Sequence, residues 1–193
     1  MELGTELFDL LNRRQKVGGK QVPVVYGARG LSDAEVASIE AQLGFRVPDD
    51  FAYLFKNLQD PGRVLFPWSE FDKQKYDEVI AWVRRGVEFD IEHDSLWLQR
   101  WGEKPRTLSA AVEIARKDFE TWPKLLPIFG HRFRAAEPCR SGNPVFSIWQ
   151  TDVIYYGADL AHYLLNEFVD HDHALHTSPN IRRIDVWSDF ADN

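Results

Sequence analysis

The sequence predicts an α+β fold in which an antiparallel strand meander packs against several helices. In the first half of the chain, apolar residues recur mostly at helical spacing. After residue 122 the apolar residues form short runs separated by turn-forming residues. Helices followed by consecutive strands indicate α+β rather than alternating βαβ units. Because the chain of 193 residues has no internal repeat and no linker, we expect a single domain over residues 1–193.

The best-marked helix begins after Ser32 and ends before Gly44. Ser32 and Glu35 have the spacing of a capping box, and glycine suits a left-handed C-terminal position. A second helix is expected to follow at once, with Pro48 in its first turn and Asp50 at the positive end of its dipole. Apolar spacing predicts four further helices, at residues 3–11, 71–90, 108–119 and 159–168.

Most of the predicted strands lie in the second half of the chain. Two short strands are expected earlier, at residues 22–26 and 64–66. The later four are expected at residues 125–129, 131–135, 144–149 and 153–156. Gly130, the Ser141-Gly142-Asn143 stretch and Thr151-Asp152 separate them, which favours tight turns and hence an antiparallel meander.

The composition describes an acidic, aromatic-rich chain. The net charge is −7, aromatic residues make up 13%, and seven of them are Trp. The negative charge disfavours direct nucleic-acid binding and anionic membrane surfaces, and suits a basic protein partner. A single cysteine, Cys139, excludes an intramolecular disulfide. We expect a cytoplasmic protein, because residues 1–11 are acidic where a signal peptide is basic, and no apolar run approaches the ~20 residues that cross a bilayer.

Four segments in a fixed order resemble a known family. They are the capped helix at residues 31–43, VPDDFAYLFKN at 47–57, WPKLLPIFG at 122–130, and the strand pair and helix PVFSIWQTDVIYYGADLAHYLLNEF at 144–168. Together they resemble the SUKH superfamily, also called the Smi/Knr-like family, over roughly residues 30–170. One departure is that Asn57 is followed by Leu58-Gln59, where the family usually has Asn-Gly.

This resemblance implies a non-enzymatic protein without a cofactor. Bacterial members of the family are immunity proteins, which bind and neutralise toxin domains that are often nucleases. Fungal relatives regulate cell-wall synthesis through protein contacts. The resemblance therefore implies an immunity (antitoxin) protein with a basic toxin domain as its partner, and a regulatory scaffold without a toxin is the alternative within the family. It supplies no catalytic residues.

Aromatic side chains are the best candidates for a partner-binding surface. Tyr155 and Tyr156 are neighbours in a predicted strand, so their side chains should point to opposite faces of the sheet, and both can be buried only if both faces are covered. Exposed Tyr and Trp residues make good interface anchors. The candidate partner-binding residues are Trp149, Asp152, Tyr155 and Tyr156 around the predicted hairpin, and Trp97 and Trp101 in the middle of the chain.

The main alternative from another class of protein is a metal-dependent hydrolase. His171, His173 and His176 alternate with Asp170 and Asp172 in the stretch DHDHALH, and imidazole and carboxylate groups are zinc ligands. The spacing matches no established metal motif, and an exposed polar turn after the preceding helix explains it better. The chain has no nucleophile-elbow, phosphate-loop or dinucleotide motif. We therefore expect no enzyme, no catalytic residues and no bound metal.

Overall fold

The computed structural model describes residues 2–17, 20–21, 23–169 and 181–192. Within these ranges the helices and strands follow one another in this order: α1 (Thr5–Arg14), β1 (Lys16–Val17), β2 (Lys20–Gln21), β3 (Val25–Tyr26), α2 (Asp33–Leu43), α3 (Asp49–Lys56), β4 (Leu58–Gln59), α4 (Lys73–His93), α5 (Leu108–Phe119), β5 (Leu125–Phe129), β6 (Arg132–Ala135), β7 (Val145–Trp149), β8 (Asp152–Gly157), α6 (Leu160–Phe168) and α7 (Trp187–Ala191). The predicted α+β class is confirmed.

The central element is a four-stranded antiparallel sheet. Its strands lie in the order β5-β6-β7-β8, so each strand pairs with its neighbour in sequence, as in a meander. Phe133 of β6 pairs with Phe146 of β7, and Trp149 pairs with Asp152 across the turn between β7 and β8. Two small ribbons, β1 with β2 and β3 with β4, lie outside this sheet.

Helices cover both faces of the sheet. On the first face, Leu126 and Val145 belong to a hydrophobic cluster with buried residues of α1, α2, α3 and α6. On the second face, Leu125 and Phe146 pack with residues of α4, α5 and α7. Because both faces are covered, side chains pointing either way are buried, and the strands carry nearly continuous apolar runs instead of alternating apolar and polar residues.

A buried ion pair joins α3 to the sheet. Arg134 of β6 is fully buried, and its Nη2 donates to Asp50 Oδ1 at 2.6 Å. The other oxygen of Asp50 accepts a hydrogen bond from the backbone N–H of Gly142 at 2.9 Å. Asp50 therefore ties the start of α3 both to the sheet and to the loop between β6 and β7.

Several predictions for the first half of the chain differ from the structure: α1 is Thr5–Arg14 rather than 3–11, and of the strand expected at 22–26, Val25–Tyr26 is the part that the structure describes as strand. The predicted strand at residues 64–66 is wrong: Phe66 donates one backbone hydrogen bond to Ile128 of β5 at 2.7 Å, but the segment forms no ladder. The strand that forms nearby is β4, which pairs with β3. Pro48 was expected inside the first turn of α3, but it is the N-cap residue, with φ of −63° and ψ of 148°.

Candidate functional site

The most exposed large apolar side chain of the described residues lies at the end of β7. Trp149 is 57% exposed, and its ring packs edge to face against Trp82 of α4, with centroids 5.6 Å apart and planes at 70°. His131, in the turn between β5 and β6, lies against the same ring at 6.0 Å and 82°. These rings line an open groove of about 480 Å³, here called the Trp groove, which comprises Lys75, Glu78, Val79, Trp82, Gly130, His131 and Trp149.

The hairpin that carries Trp149 is fastened to α4. Asp90 of α4 is 4% exposed, and its Oδ2 accepts hydrogen bonds from the Thr151 backbone N–H at 2.8 Å and from the Thr151 hydroxyl at 2.5 Å. One helical turn before Asp90, Gly86 allows the β7–β8 hairpin turn to approach α4 closely. A Cβ at this position would lie 2.8 Å from the Cα of Gln150. The position of Trp149 relative to Trp82 is therefore set by the Asp90–Thr151 hydrogen bonds and by the close approach of Gln150 to Gly86.

The surroundings of His131, the third ring of the groove, favour its neutral form. Burial, together with the neighbouring positive charge of Arg132, lowers the pKa of His131 from its usual value. The charged groups that line the groove with it are Lys75 and Glu78, both exposed on α4. The groove thus combines three uncharged rings with one cationic and one anionic side chain at its rim.

Tyr155 and Tyr156 point to opposite faces of the sheet, as expected from their positions, and both faces are covered. Tyr155 packs against Phe146 on the second face, with ring centroids 5.3 Å apart. Tyr156 lies on the first face, and the Arg132 guanidinium carbon stands 3.7 Å from its ring centroid. Both rings are half-buried, so each has a packing role within the chain.

Trp97 and Trp101 pack against each other edge to face at 5.0 Å. Trp101 is only 8% exposed, and its indole N–H donates to Asp118 at 2.9 Å, so it does not form a surface patch. Trp97 is half-buried, its indole N–H donates to the Gly102 carbonyl oxygen at 2.8 Å, and the ammonium of Lys104 lies 5.8 Å from its ring. Of the six predicted residues, only Trp149 and Asp152 are exposed.

A second cavity of about 350 Å³ lies between α4 and the segment that joins α5 to β5. Trp122 and Trp187 form its apolar wall. Of its charged lining residues, Asp77 pairs with Lys73 at 2.6 Å, and the Lys124 ammonium donates to a backbone carbonyl oxygen at 2.5 Å. The Trp groove is the stronger candidate for a binding surface, because Trp122 and Trp187 are buried whereas Trp149 is 57% exposed.

The metal hypothesis falls on a part of the chain outside the described residues. His171, His173 and His176, with Asp170 and Asp172, all belong to residues 170–180. In the described ranges no group of three or more His, Cys, Asp or Glu side chains is placed to hold a metal ion. Among the same residues no helix combines the length and apolarity needed to cross a membrane.

Sequence reasoning missed Trp82, although a signal was present. Tyr76, Ile80, Val83 and Val87 mark the stripe that α4 turns toward the core, and Trp82 lies off it. A large aromatic residue off the buried stripe of a helix is a candidate for a surface site. Its pairing with Trp149 could not be predicted, because it depends on where the β7–β8 turn crosses α4.

The fold and the groove define an α+β protein with a rigidly held, exposed aromatic surface. No family model, no curated protein and no solved structure matches this chain. The groove geometry and the sequence pattern are therefore the observations on which a functional assignment rests.

Proposed function

We propose that this protein is a non-enzymatic protein-binding domain and that the Trp groove is its partner-binding surface. The observation that carries this proposal is the exposure of Trp149, 57% open to solvent yet fixed against Trp82. Tryptophan brings a large contact area to an interface and loses little conformational entropy on binding. An exposed aromatic pair on a fastened hairpin is therefore suited to anchor a partner.

The finer proposal is an immunity protein that neutralises a toxin domain in the cytoplasm. It is supported by the resemblance of residues 30–170 to the SUKH superfamily and by the net charge of −7. A basic partner such as a nuclease domain would be attracted by this charge, and encounter rates rise when opposite fields steer two proteins together. A toxin bound at the groove would be neutralised because its active site or substrate-binding surface is covered.

Affinity capture with matched variants tests the binding proposal. The tagged protein, its Trp149→Ala variant and its Leu108→Ala variant are each incubated with lysate of the source cell, and bound proteins are identified by mass spectrometry. Leu108 is a suitable control because it is 50% exposed but lies on α5, outside the groove. We expect one abundant basic partner with the wild type and with Leu108→Ala, and its loss with Trp149→Ala. Equal capture by all three proteins would rule out the groove as the binding surface.

Co-expression separates the immunity proposal from a regulatory role. If the captured partner is a toxin, expressing it alone should arrest growth, and co-expressing the wild-type protein should restore growth. The Trp149→Ala variant should fail to protect. A partner that is harmless when expressed, or a set of envelope and signalling proteins, would reject the immunity role and favour the regulatory scaffold.

A further inference from the structure

The geometry points to a specific chemistry for the Trp groove: we infer that it receives the guanidinium group of an arginine side chain on the partner. This inference rests on the proposed protein-binding function and names the group that the surface recognises. It follows from the arrangement of the three rings, from the charges around them, and from the absence of a resident cation on those rings among the described residues.

The rings form walls that meet at steep angles. The plane of Trp149 stands at 70° to that of Trp82 and at 82° to that of His131. Aromatic faces carry negative electrostatic potential, so a cation placed among such walls is attracted by more than one face. Tryptophan gives the strongest attraction of the aromatic side chains, and Trp149 is also the most exposed of the large apolar residues described.

The cation–π contacts of the described residues lie outside the Trp groove. They place Lys73 on Tyr76, Lys104 on Trp97 and Arg132 on Tyr156. None of these contacts uses Trp82 or Trp149. Three of the described rings thus already hold a cation, while Trp82 and Trp149, the two most exposed of the described tryptophans, hold none.

The surrounding charge favours a cation of the partner. Glu78 is exposed at the rim, and one of its oxygens accepts a hydrogen bond from the Gln74 amide at 3.1 Å. Lys75 at the same rim offsets this charge locally, so selectivity for a cation comes from the rings, while the net charge of −7 attracts a basic partner. Guanidinium fits better than ammonium, because it is planar, weakly hydrated and stacks on aromatic faces.

Acid should weaken the site. Near pH 7 the imidazole of His131 is neutral; protonation at lower pH would put a positive charge in one of the three walls and repel the guanidinium. The other charged groups facing this imidazole are Lys75 and Glu78 on α4 and Arg132 on β6. A His131→Gln variant removes the titrating ring, so its affinity should change less than that of the wild type as the pH falls from 7 through the lowered pKa of His131.

Peptide titration tests the inference on the intact protein. The probes are two capped tripeptides, acetyl-Gly-Arg-Gly-amide and the same peptide with citrulline, which has nearly the shape of arginine but no charge. Binding is followed through the indole N–H signals of the seven Trp residues, assigned with Trp→Phe variants. We expect saturable shifts for Trp82 and Trp149 with the arginine peptide, at a dissociation constant on the order of millimolar. The signal of Trp97, which already has Lys104 beside it, should stay in place.

Charge variants provide the matched control. Glu78→Gln should weaken arginine binding about two- to fivefold, whereas Glu6→Gln removes an equal charge on α1, outside the groove, and should leave it unchanged. Equal shifts with the citrulline peptide, or no shift with either peptide, would overturn the arginine assignment. The protein-binding proposal would survive both results, because it fails only if Trp149→Ala keeps the partner.

Discussion

At the scale of single residues, one carboxylate organises several of the aromatic side chains. Asp118 at the end of α5 accepts hydrogen bonds from the indole N–H groups of Trp101 at 2.9 Å and Trp122 at 2.7 Å, and from Arg100 at 2.8 Å. Burial alone would raise the pKa of this carboxyl, but the hydrogen bonds from Trp122, Trp101 and Arg100 outweigh it and hold the pKa below its usual value. Asp118 thus links the segment of Arg100 and Trp101, between α4 and α5, to the hydrophobic cluster on the second face of the sheet.

Replacing Asp118 should cost stability in a pH-dependent way. Asp118→Ala leaves two indole N–H groups without their acceptor, so we expect a loss of about 2–4 kcal/mol in the free energy of unfolding at pH 7. The pKa of Asp118 is lower in the folded than in the unfolded protein. Its carboxylate therefore stabilises the folded state fully above the unfolded pKa of about 3.9, and this stabilisation is lost as the pH falls through the folded pKa. The difference in unfolding free energy between Asp118→Ala and the wild type should therefore become smaller from pH 7 to pH 3.

Urea denaturation at both pH values measures this difference. Asp9→Ala, at an exposed position of α1, serves as the control and should stay within about 0.5 kcal/mol of the wild type. An Asp118→Ala variant as stable as Asp9→Ala would show that the two indoles find other acceptors.

The pair of Asp50 and Arg134 gives a second residue-scale prediction. Asp50→Ala leaves a fully buried guanidinium without its carboxylate, so we expect a loss of about 3–5 kcal/mol in unfolding free energy. Adding Arg134→Met should recover part of that loss, since an apolar side chain of similar length needs no partner. Chemical denaturation of both variants measures the recovery, and a double variant less stable than Asp50→Ala would contradict this account.

The sequence could not reveal this pair. Asp50 has the position of a residue that complements a helix dipole, and Arg134 lies in a strand whose neighbours are apolar. The two positions are 84 residues apart in the chain, so nothing local connects them. Capping contacts are different: Ser32 and Glu35 are three residues apart, and both hydrogen bonds of the predicted box are present, at 2.8 and 3.2 Å.

At the scale of elements, predictions succeeded where the signal was local and periodic. Helix α5 and strand β5 have the predicted bounds, β6 and β7 each begin one residue later than predicted, and β8 is one residue longer at each end. The segment 64–66 was predicted wrongly because a short apolar run becomes a strand only if it finds a partner over its length, and sequence alone does not show the partner. Of the groove residues, only Trp149 was predicted as a binding residue, because Trp82 and His131 meet it through helix–hairpin packing.

Gly86 provides the element-scale prediction. In a helix, Gly→Ala normally raises stability by about 0.5–1 kcal/mol. Here the added Cβ would lie 2.8 Å from backbone of the β7–β8 turn, so Gly86→Ala should lower the free energy of unfolding and push Trp149 away from Trp82. Thermal denaturation measures the first effect, and partner affinity measures the second.

Ser38→Ala on the exposed side of α2 is the matched control for Gly86→Ala and should change the stability by at most about 0.5 kcal/mol. A stabilised Gly86→Ala protein with unchanged partner affinity would mean that the hairpin is not held in place by its approach to α4.

At the scale of the whole molecule, helices pack against both faces of the sheet, and the Trp groove lies at the end of the sheet where two turns meet α4. The turns β5–β6 and β7–β8 bring His131 and Trp149 to the same end of the sheet, and α4 crosses beneath them with Trp82. Loops and turns held by a rigid scaffold are common sites of binding function. We propose that recognition takes place at this end of the sheet and that the net charge of −7 steers a basic partner toward it.

The measurement that tests this account most directly is calorimetric titration of the purified, captured partner into wild type, Trp149→Ala and Leu108→Ala. We expect Leu108→Ala to bind within about twofold of the wild type and Trp149→Ala to lose at least about 30-fold in affinity, as for an interface hot spot worth 2 kcal/mol or more. Folding of each variant is checked by thermal denaturation in the same buffer. A folded Trp149→Ala protein that binds its partner as tightly as the wild type would contradict the central claim that the Trp groove is the binding surface.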